Sequence, residues 1–287
     1  MEVGIIGVGC IGSSLARVIR KKNLGKVAVA DANTDYMRAA KTLELADSYC
    51  KSNRKAVENS DIVFVCVPVS FIPEVIADVA PFMKPGAILT DVGSVKTYVQ
   101  DKAGRNFPGN FHFIPGHPIT RNTAMKGPET GREDVFENIS YILTPPENTD
   151  THALKDLKHF ISKLGAKVEI MNAERHDLIL GFISHIPHFL AFSLMNAAGG
   201  LSKDLKENIL NYAGGSFRDA TRIVDANPDI WKDIFSFNNS MIENCIDVFS
   251  KEMETLKTYM KVQDQDAIRH YIEKAQQVKN NKSKKEQ

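Results

Sequence analysis

Three groups of residues in this chain have types and spacings that could do chemistry. The first is Gly7-Val8-Gly9-Cys10-Ile11-Gly12, which ends the apolar stretch 3–8 and opens a segment of helical spacing at 11–22. In that setting the first glycine permits a tight turn, the second lets the backbone approach a pyrophosphate, and the third lets helix pack closely on strand. The pyrophosphate would sit at the helix N-terminus, where unpaired N–H groups and the helix dipole favour an anion. Asp31 ends the next apolar run, 26–31, about 20 residues further on. A carboxylate there accepts from a ribose 2′-hydroxyl and repels a 2′-phosphate, so the set predicts a dinucleotide site that prefers NAD to NADP. Arg38, close by in sequence, is the one residue that tells against the preference. The alternative is a glycine-rich turn with no ligand; strand, helix and acid together count against it.

The second group stands at strand ends. In "DVGSVK" (91–96), Ser94 and Lys96 would point into the crevice where ligands of open α/β sheets collect. Ser94 also reads as a helix N-cap before "VKTYV", and the two roles can coexist. In "PGHPITR" (115–121), His117 stands between Gly116 and Pro118. A lone histidine is more often structural, but one at a strand end beside a dinucleotide site is a general-base candidate.

The third group lies in "HDLILGFISHIPHFLAFSLM" (176–195), where His185 and His188 flank Pro187. A metal pair, ordinary core histidines and one wall of a pocket are the competing readings. No cysteine or third histidine joins the HxxH spacing, so no metal is expected. Pro187 should bend the helix. Further on, "GGSFRDATR" (214–222) supplies Arg218, Asp219 and Arg222 after a glycine turn. A guanidinium suits a carboxylate ligand, while an exposed ion pair with Asp219 is the plainer reading. Trp231, the one tryptophan, could be a core anchor.

These residues need elements to hold them. Apolar runs at 3–8, 26–31, 61–68 and 87–93 read as strands of a parallel sheet buried on both faces, with 111–118, 139–145 and 166–171 as extensions. Helical segments alternate with them, including "THALKDLKHFISKLG", which stops at Gly165 as at a C-cap. After Met171 the strand signal disappears. The expected fold class is therefore α/β: a Rossmann-type parallel-sheet dinucleotide-binding domain over 1–171, an all-helical substrate-binding and dimerisation domain over 172–279, and a basic disordered tail at 280–287. The late helix carries a wide apolar stripe (Met241, Ile242, Cys245, Ile246, Phe249, Met253, Leu256), which suggests a homodimer through the helical domain.

Composition narrows the class further. The chain has 287 residues with 25% charged and 43% hydrophobic, an ordinary globular balance long enough for two domains. A formal net charge of +1 argues against a nucleic-acid partner. No apolar run has the look of a membrane span, and "MEVGIIGVG" lacks the basic start of a secretory signal. The four cysteines, Cys10, Cys50, Cys66 and Cys245, show no CxxC spacing. These features suggest a cytoplasmic protein with no membrane partner.

Seven stretches together, "GVGCIGSSLA", "DVGSVK", "GHPITRNT", "ILTP", "SHIPHFLA", "GGSFRDATR" and "PDIWKDIF", resemble the prephenate and arogenate dehydrogenases of tyrosine biosynthesis. They occur in that family's order and span residues 1 to about 237. Two departures are local: the family usually continues GHP with Met-Ala-Gly-Thr, whereas this chain runs Ile119-Thr120-Arg121-Asn122-Thr123, one residue longer, and Ser216 stands where glycine or a direct Gly-Phe junction is common. The resemblance implies NAD-dependent oxidative decarboxylation of prephenate or arogenate. It implies that His117 accepts the ring-hydroxyl proton and that Ser94 orients the imidazole. His188, Arg222, Thr123 and Trp231 would line the substrate pocket, with His185 supporting His188. Val67, Pro68 and Ser94 would join Gly7, Gly9, Cys10, Ile11, Gly12 and Asp31 as cofactor-binding residues. Two other functions remain in view. A β-hydroxyacid-type dehydrogenase would use a catalytic lysine on the first interdomain helix, and none occurs between Arg175 and Lys203. A catalytically inactive NAD sensor would have no use for a converging histidine and arginine cluster.

Overall fold

The computed structural model describes residues 1–103, 111–120 and 126–283. The first half builds strands β1 (Glu2–Ile6), β2 (Lys26–Ala30), β3 (Ser48–Tyr49), β4 (Ile62–Val65), β5 (Ile88–Asp91) and β6 (His112–Phe113). All pair in parallel, in the order β3-β2-β1-β4-β5-β6. The helices between them are α1 (Cys10–Lys21), α2 (Thr34–Thr42), α3 (Asn53–Val57), α4 (Ile72–Val79) and α5 (Lys96–Ala103). Every residue of β4 and β5 is buried, as strands covered on both faces require. The order reverses between β1 and β4, which opens a ligand crevice at their carboxyl ends.

The sheet does not extend through all the later apolar runs. Pro115 lies between β6 and β7 (Gly116–Pro118); Ile114 N still donates to Leu89 O, but the Pro115 carbonyl accepts from Thr144 N at 2.9 Å. Proline has no N–H to continue a ladder, and the chain changes sheet there. Strand β7 then pairs antiparallel with β8 (Ser140–Leu143), and β8 parallel with β9 (Lys167–Ile170), making a separate three-stranded sheet. Helix α6 (Thr151–Leu164) ends at Gly165, whose φ of 110° is the left-handed C-cap expected there. One core joins α1, the larger sheet, β8 and α6 through Ile5, Leu15, Phe64, Tyr141, Leu157 and Phe160.

From Ala173 the chain is helical: α7 (Ala173–Leu180), α8 (Ile186–Leu205), α9 (Gly215–Thr221), α10 (Pro228–Phe237), α11 (Asn239–Lys261) and α12 (Gln265–Ser283). Between α7 and α8 a π-turn spans Gly181–His185, so Pro187 falls in the first turn of α8. The wide turn takes up the missing proline N–H, and the run 173–205 continues as one helix. That run, with mean hydropathy 1.7 over an 18-residue window, is apolar and long enough to cross a membrane, contrary to the sequence expectation. Only 28% of the window is buried within the chain, and its serines, histidines and asparagines carry no formal charge to lower the count. The described chain forms two compact units, Met1–Asn239 and Ser240–Gln287. In the second, Tyr271 Oη donates to Glu252 O and its ring meets Tyr259 edge-on.

Candidate active site

The glycine turn has the geometry its spacing demands. Gly7 has φ +90°, and a Cβ there would lie 2.4 Å from Cys66 O and 3.1 Å from a Val67 methyl. A Cβ on Gly12 would lie 1.9 Å from Gly7 O, so only glycine lets α1 start this close to the turn. Gly9 is different: a Cβ would meet nothing within 4 Å, which leaves its backbone open to a ligand. Gly9 caps α1 without any side-chain bond, so no side chain competes with a pyrophosphate for the first-turn N–H groups. Cys10 and Ile11 occupy that turn; the Cys10 thiol reaches Thr130 O, and Ile11 packs on the core. Val67 and the exposed Pro68 follow β4 at the same edge. Asp31 accepts from Val8 N and Asn33 N, both at 2.7 Å, and so holds the turn. Arg38 pairs with Asp35 at 2.9 Å, which weakens its claim on a 2′-phosphate. These residues fit NAD.

Around His117 the structure gathers residues from distant elements. His117 Nδ1 lies 2.9 Å from Nε2 of His176 on α7. His176 Nδ1 lies 2.7 Å from Asp177 Oδ1. The same carboxylate accepts Lys96 N and Thr97 N, each at 2.8 Å, and the Thr97 hydroxyl, so it caps α5. Burial alone would raise the Asp177 carboxyl; His176, Lys96 N–H and Thr97 outweigh it and hold the group below its ordinary value.

The proton positions follow. An ionised Asp177 can only accept, so His176 carries its hydrogen on Nδ1. Burial keeps His176 neutral against the pull of Asp177, which leaves Nε2 bare and makes His117 Nδ1–H the donor to it. Burial pushes His117 well below its ordinary 6.5, and a second charge beside His176, Lys96 or His185 is disfavoured there. Its Nε2 therefore presents a lone pair. That is what a proton acceptor needs.

The two histidines of "SHIPH" have separate tasks and do not converge on one point. Asn238 Nδ2 donates to Asp177 O at 2.9 Å and faces His185 Nδ1 at 3.1 Å, so neutral His185 carries its hydrogen on Nε2. Burial pushes His185 down to about 4. His188 Nδ1 donates to Ser184 O at 3.0 Å, and its ring stacks on Trp231 with centroids 3.7 Å apart. Trp231 is buried at 6% exposure, against Phe192 and Phe235 as well. Among the described residues no group of three or more His, Cys, Asp and Glu is disposed to hold a metal.

Other expected residues are placed as follows. Ser94 is half-buried in the turn before α5, and the partner on His117 Nδ1 is His176, not Ser94. Lys96, expected to face the crevice, is fully buried and paired with Asp91. Arg222 is exposed at the end of α9; the ion pair with Asp219 does not form, and among the described residues it has no salt bridge. Thr123 lies outside the described residues, as do Arg121 and Asn122 of the longer loop. Sequence reasoning passed over His176, Asp177 and Asn238. The available signal was an adjacent His-Asp pair at the head of an otherwise apolar run.

A Rossmann-type nucleotide site together with a half-buried, neutral histidine at a strand end is the arrangement of an NAD-dependent dehydrogenase. A family model described as prephenate dehydrogenase, nucleotide-binding domain, matches residues 15–170, and its companion, the dimerization domain, matches 172–274. The chain belongs to the prephenate dehydrogenase family. A cyclohexadienyl dehydrogenase of Zymomonas mobilis is 32% identical over 97% of this chain and 94% of its own length. A crystal structure of prephenate dehydrogenase from A. aeolicus with hydroxyphenyl propionate and NAD+ matches with TM-score 0.88 and 30% identity, over 98% of each chain. Arogenate dehydrogenase of Synechocystis matches with TM-score 0.85 and 26% identity, over 98% of this chain and 99% of that one.

Proposed function

We propose that this enzyme carries out the NAD-dependent oxidative decarboxylation of prephenate, arogenate or both, a step of tyrosine biosynthesis, with His117 Nε2 as the proton acceptor. The observation that carries the reading is the hydrogen-bond series Asp177–His176–His117, which leaves that nitrogen bare. Bound NAD supplies the acceptor for the hydride that leaves the hydroxyl-bearing ring carbon. His117 takes the hydroxyl proton as the carbon becomes a carbonyl. The C–CO2 bond then breaks, its electron pair enters the ring, and the aromatic phenolate recovers the proton from His117. Aromatisation makes the step effectively irreversible.

The substrate carries two carboxylates or, for arogenate, two carboxylates and an ammonium. Arg222, exposed and without an ion pair among the described residues, suits one carboxylate. His188, backed by the buried Trp231 on which it stacks, suits the side-chain end, and Ser94 the reacting end beside the nicotinamide. Residues 1–171 would then serve the nucleotide and 172–279 the substrate and the dimer.

A homodimer through the helical region fits the apolar residues left exposed there. Leu194, Leu201 and Leu205 follow one another at helical spacing on α8 with exposures of 41%, 50% and 56%. The cytoplasm is the compartment this biosynthetic role implies. NADH absorbance on adding prephenate or arogenate with NAD tests the reading directly. His117→Asn should lower kcat by about 10²–10⁴-fold with little change in KM. A variant that turns over at the wild-type rate would assign the proton to another group.

A further inference from the structure

We propose that the buried Lys96–Asp91 pair is a positioning device for His117: it grips both polar groups of Gly116 and so fixes the strand that presents the imidazole. The inference rests on the reading of His117 as proton acceptor. Asp91, the last residue of β5, accepts Gly116 N through Oδ1 at 3.2 Å and Gly93 N through Oδ2 at 2.8 Å. Lys96 Nζ donates to Asp91 Oδ2 and to Gly116 O, the latter at 2.7 Å. Gly116 therefore has its N–H held from β5 and its C=O from α5, while β7 pairs with β8 through Gly116 and Leu143. The space is tight, because a Cβ on Gly116 would lie 2.8 Å from Tyr141.

The magnitudes favour position over stability. Both side chains are 0% exposed, and lysine is almost never fully buried. Taking two charges out of water costs several kcal/mol each, so a buried pair is often no more stabilising than two apolar residues. What an apolar pair cannot do is donate to one carbonyl and accept from one N–H at fixed points. The ammonium also bears on His117 electrically. Among the described residues, the charged and titratable groups that act on the imidazole are His176 on α7, Lys96 on α5 and His185 on the π-turn, with Asp177 and Asp91 acting through His176 and Lys96. Burial is the first cause of the lowered His117 value, and the Lys96 ammonium reinforces it.

Three proteins test this: Lys96→Met, the neutral double variant Asp91→Asn with Lys96→Met, and the wild type. Lys96→Met should lose on the order of 10²-fold in kcat, the effect of a small misplacement, with KM for both substrates unchanged. The acid limb of its kcat profile should move to higher pH as the cation is lost. The double variant has no orphaned charge, so it should regain the melting temperature but not the kcat. A double variant with wild-type kcat and pH profile would overturn the proposal and leave the pair a purely structural one. In the wild type, amide hydrogen exchange should show the Gly116 N–H strongly protected, as its bond to Asp91 requires. Free exchange of that N–H overturns the proposal even if neither variant folds. Failure here leaves the effect of His117→Asn intact, whereas wild-type turnover by His117→Asn removes the underlying reading.

Discussion

His176→Leu is the substitution that exposes the proton logic most directly. His176 is fully buried, accepts from His117 Nδ1 at 2.9 Å and donates to Asp177 at 2.7 Å. Leucine fills similar space and can do neither. The productive His117 tautomer would then bury a donor on Nδ1 with no acceptor, at a cost of about 1–3 kcal/mol. The other tautomer escapes that cost but carries its hydrogen on Nε2, where the substrate proton must go. At 1.4 kcal/mol per decade, kcat should fall by roughly 5- to 150-fold. Complete loss of tautomer control by a buried aspartate in a Ser-His-Asp triad costs about 10⁴-fold, which sets an upper bound. His176→Gln is the rescue. Its side-chain oxygen can accept from His117 while its amide donates to Asp177, so it should recover most of the loss. Thermal unfolding measured on the same preparations separates folding from turnover. Wild-type kcat in folded His176→Leu, or His176→Gln no better than His176→Leu, would refute the argument.

Arg222→Ala should raise KM for the substrate on the order of 10²-fold and spare NAD affinity and the melting temperature, because no ion pair among the described residues depends on it; Arg222→Lys should recover part, and unchanged saturation would reject the binding role. Asp31→Ser should weaken NAD and narrow its advantage over NADP by calorimetry; it should also cost about 1 kcal/mol of stability, since Val8 N and Asn33 N lose their acceptor. Stability should fall as pH drops from 6.5 towards about 4. His185 binds its proton in the unfolded chain near 6.5 but in the folded protein only near 4, so acid favours unfolding. At pH 5 His185 alone contributes about 2 kcal/mol of loss, with His117 and His176 adding in the same direction; a melting temperature flat from pH 7 to 5 would contradict these assignments. Leu201→Glu with Leu205→Glu should turn a dimeric mass into a monomeric one by light scattering, and a wild-type monomer at micromolar concentration would reject the interface.

Local signals carried much of this protein. Gly7 and Gly12 have a steric reason that spacing alone reveals, since a turn between strand and helix permits few solutions, while Gly9 leaves its backbone open. Continuous apolar runs identified the buried parallel strands, and Gly165 the end of α6. His117, His188 and Trp231 were legible as candidates because polar or aromatic residues at strand ends and in apolar runs are uncommon there. What only the tertiary structure decided is partnership between residues far apart in the chain. The partner of His117 lies 59 residues away, and Asp91 reaches Gly116 across 25, separations no helical or strand period encodes. Asp177 looked like one more polar residue on a helix until folding set it at the N-terminus of α5, where three backbone and side-chain donors and one imidazole meet its two oxygens. The second sheet was hidden for a related reason. Strand propensity at 139–145 and 166–171 says nothing of which edge a strand joins, and a single proline at 115 redirected the pairing. Residue types are set by covalent chemistry and their local periods by backbone geometry. The protonation state of a buried histidine depends on which distant groups the closed core brings within 3 Å of it.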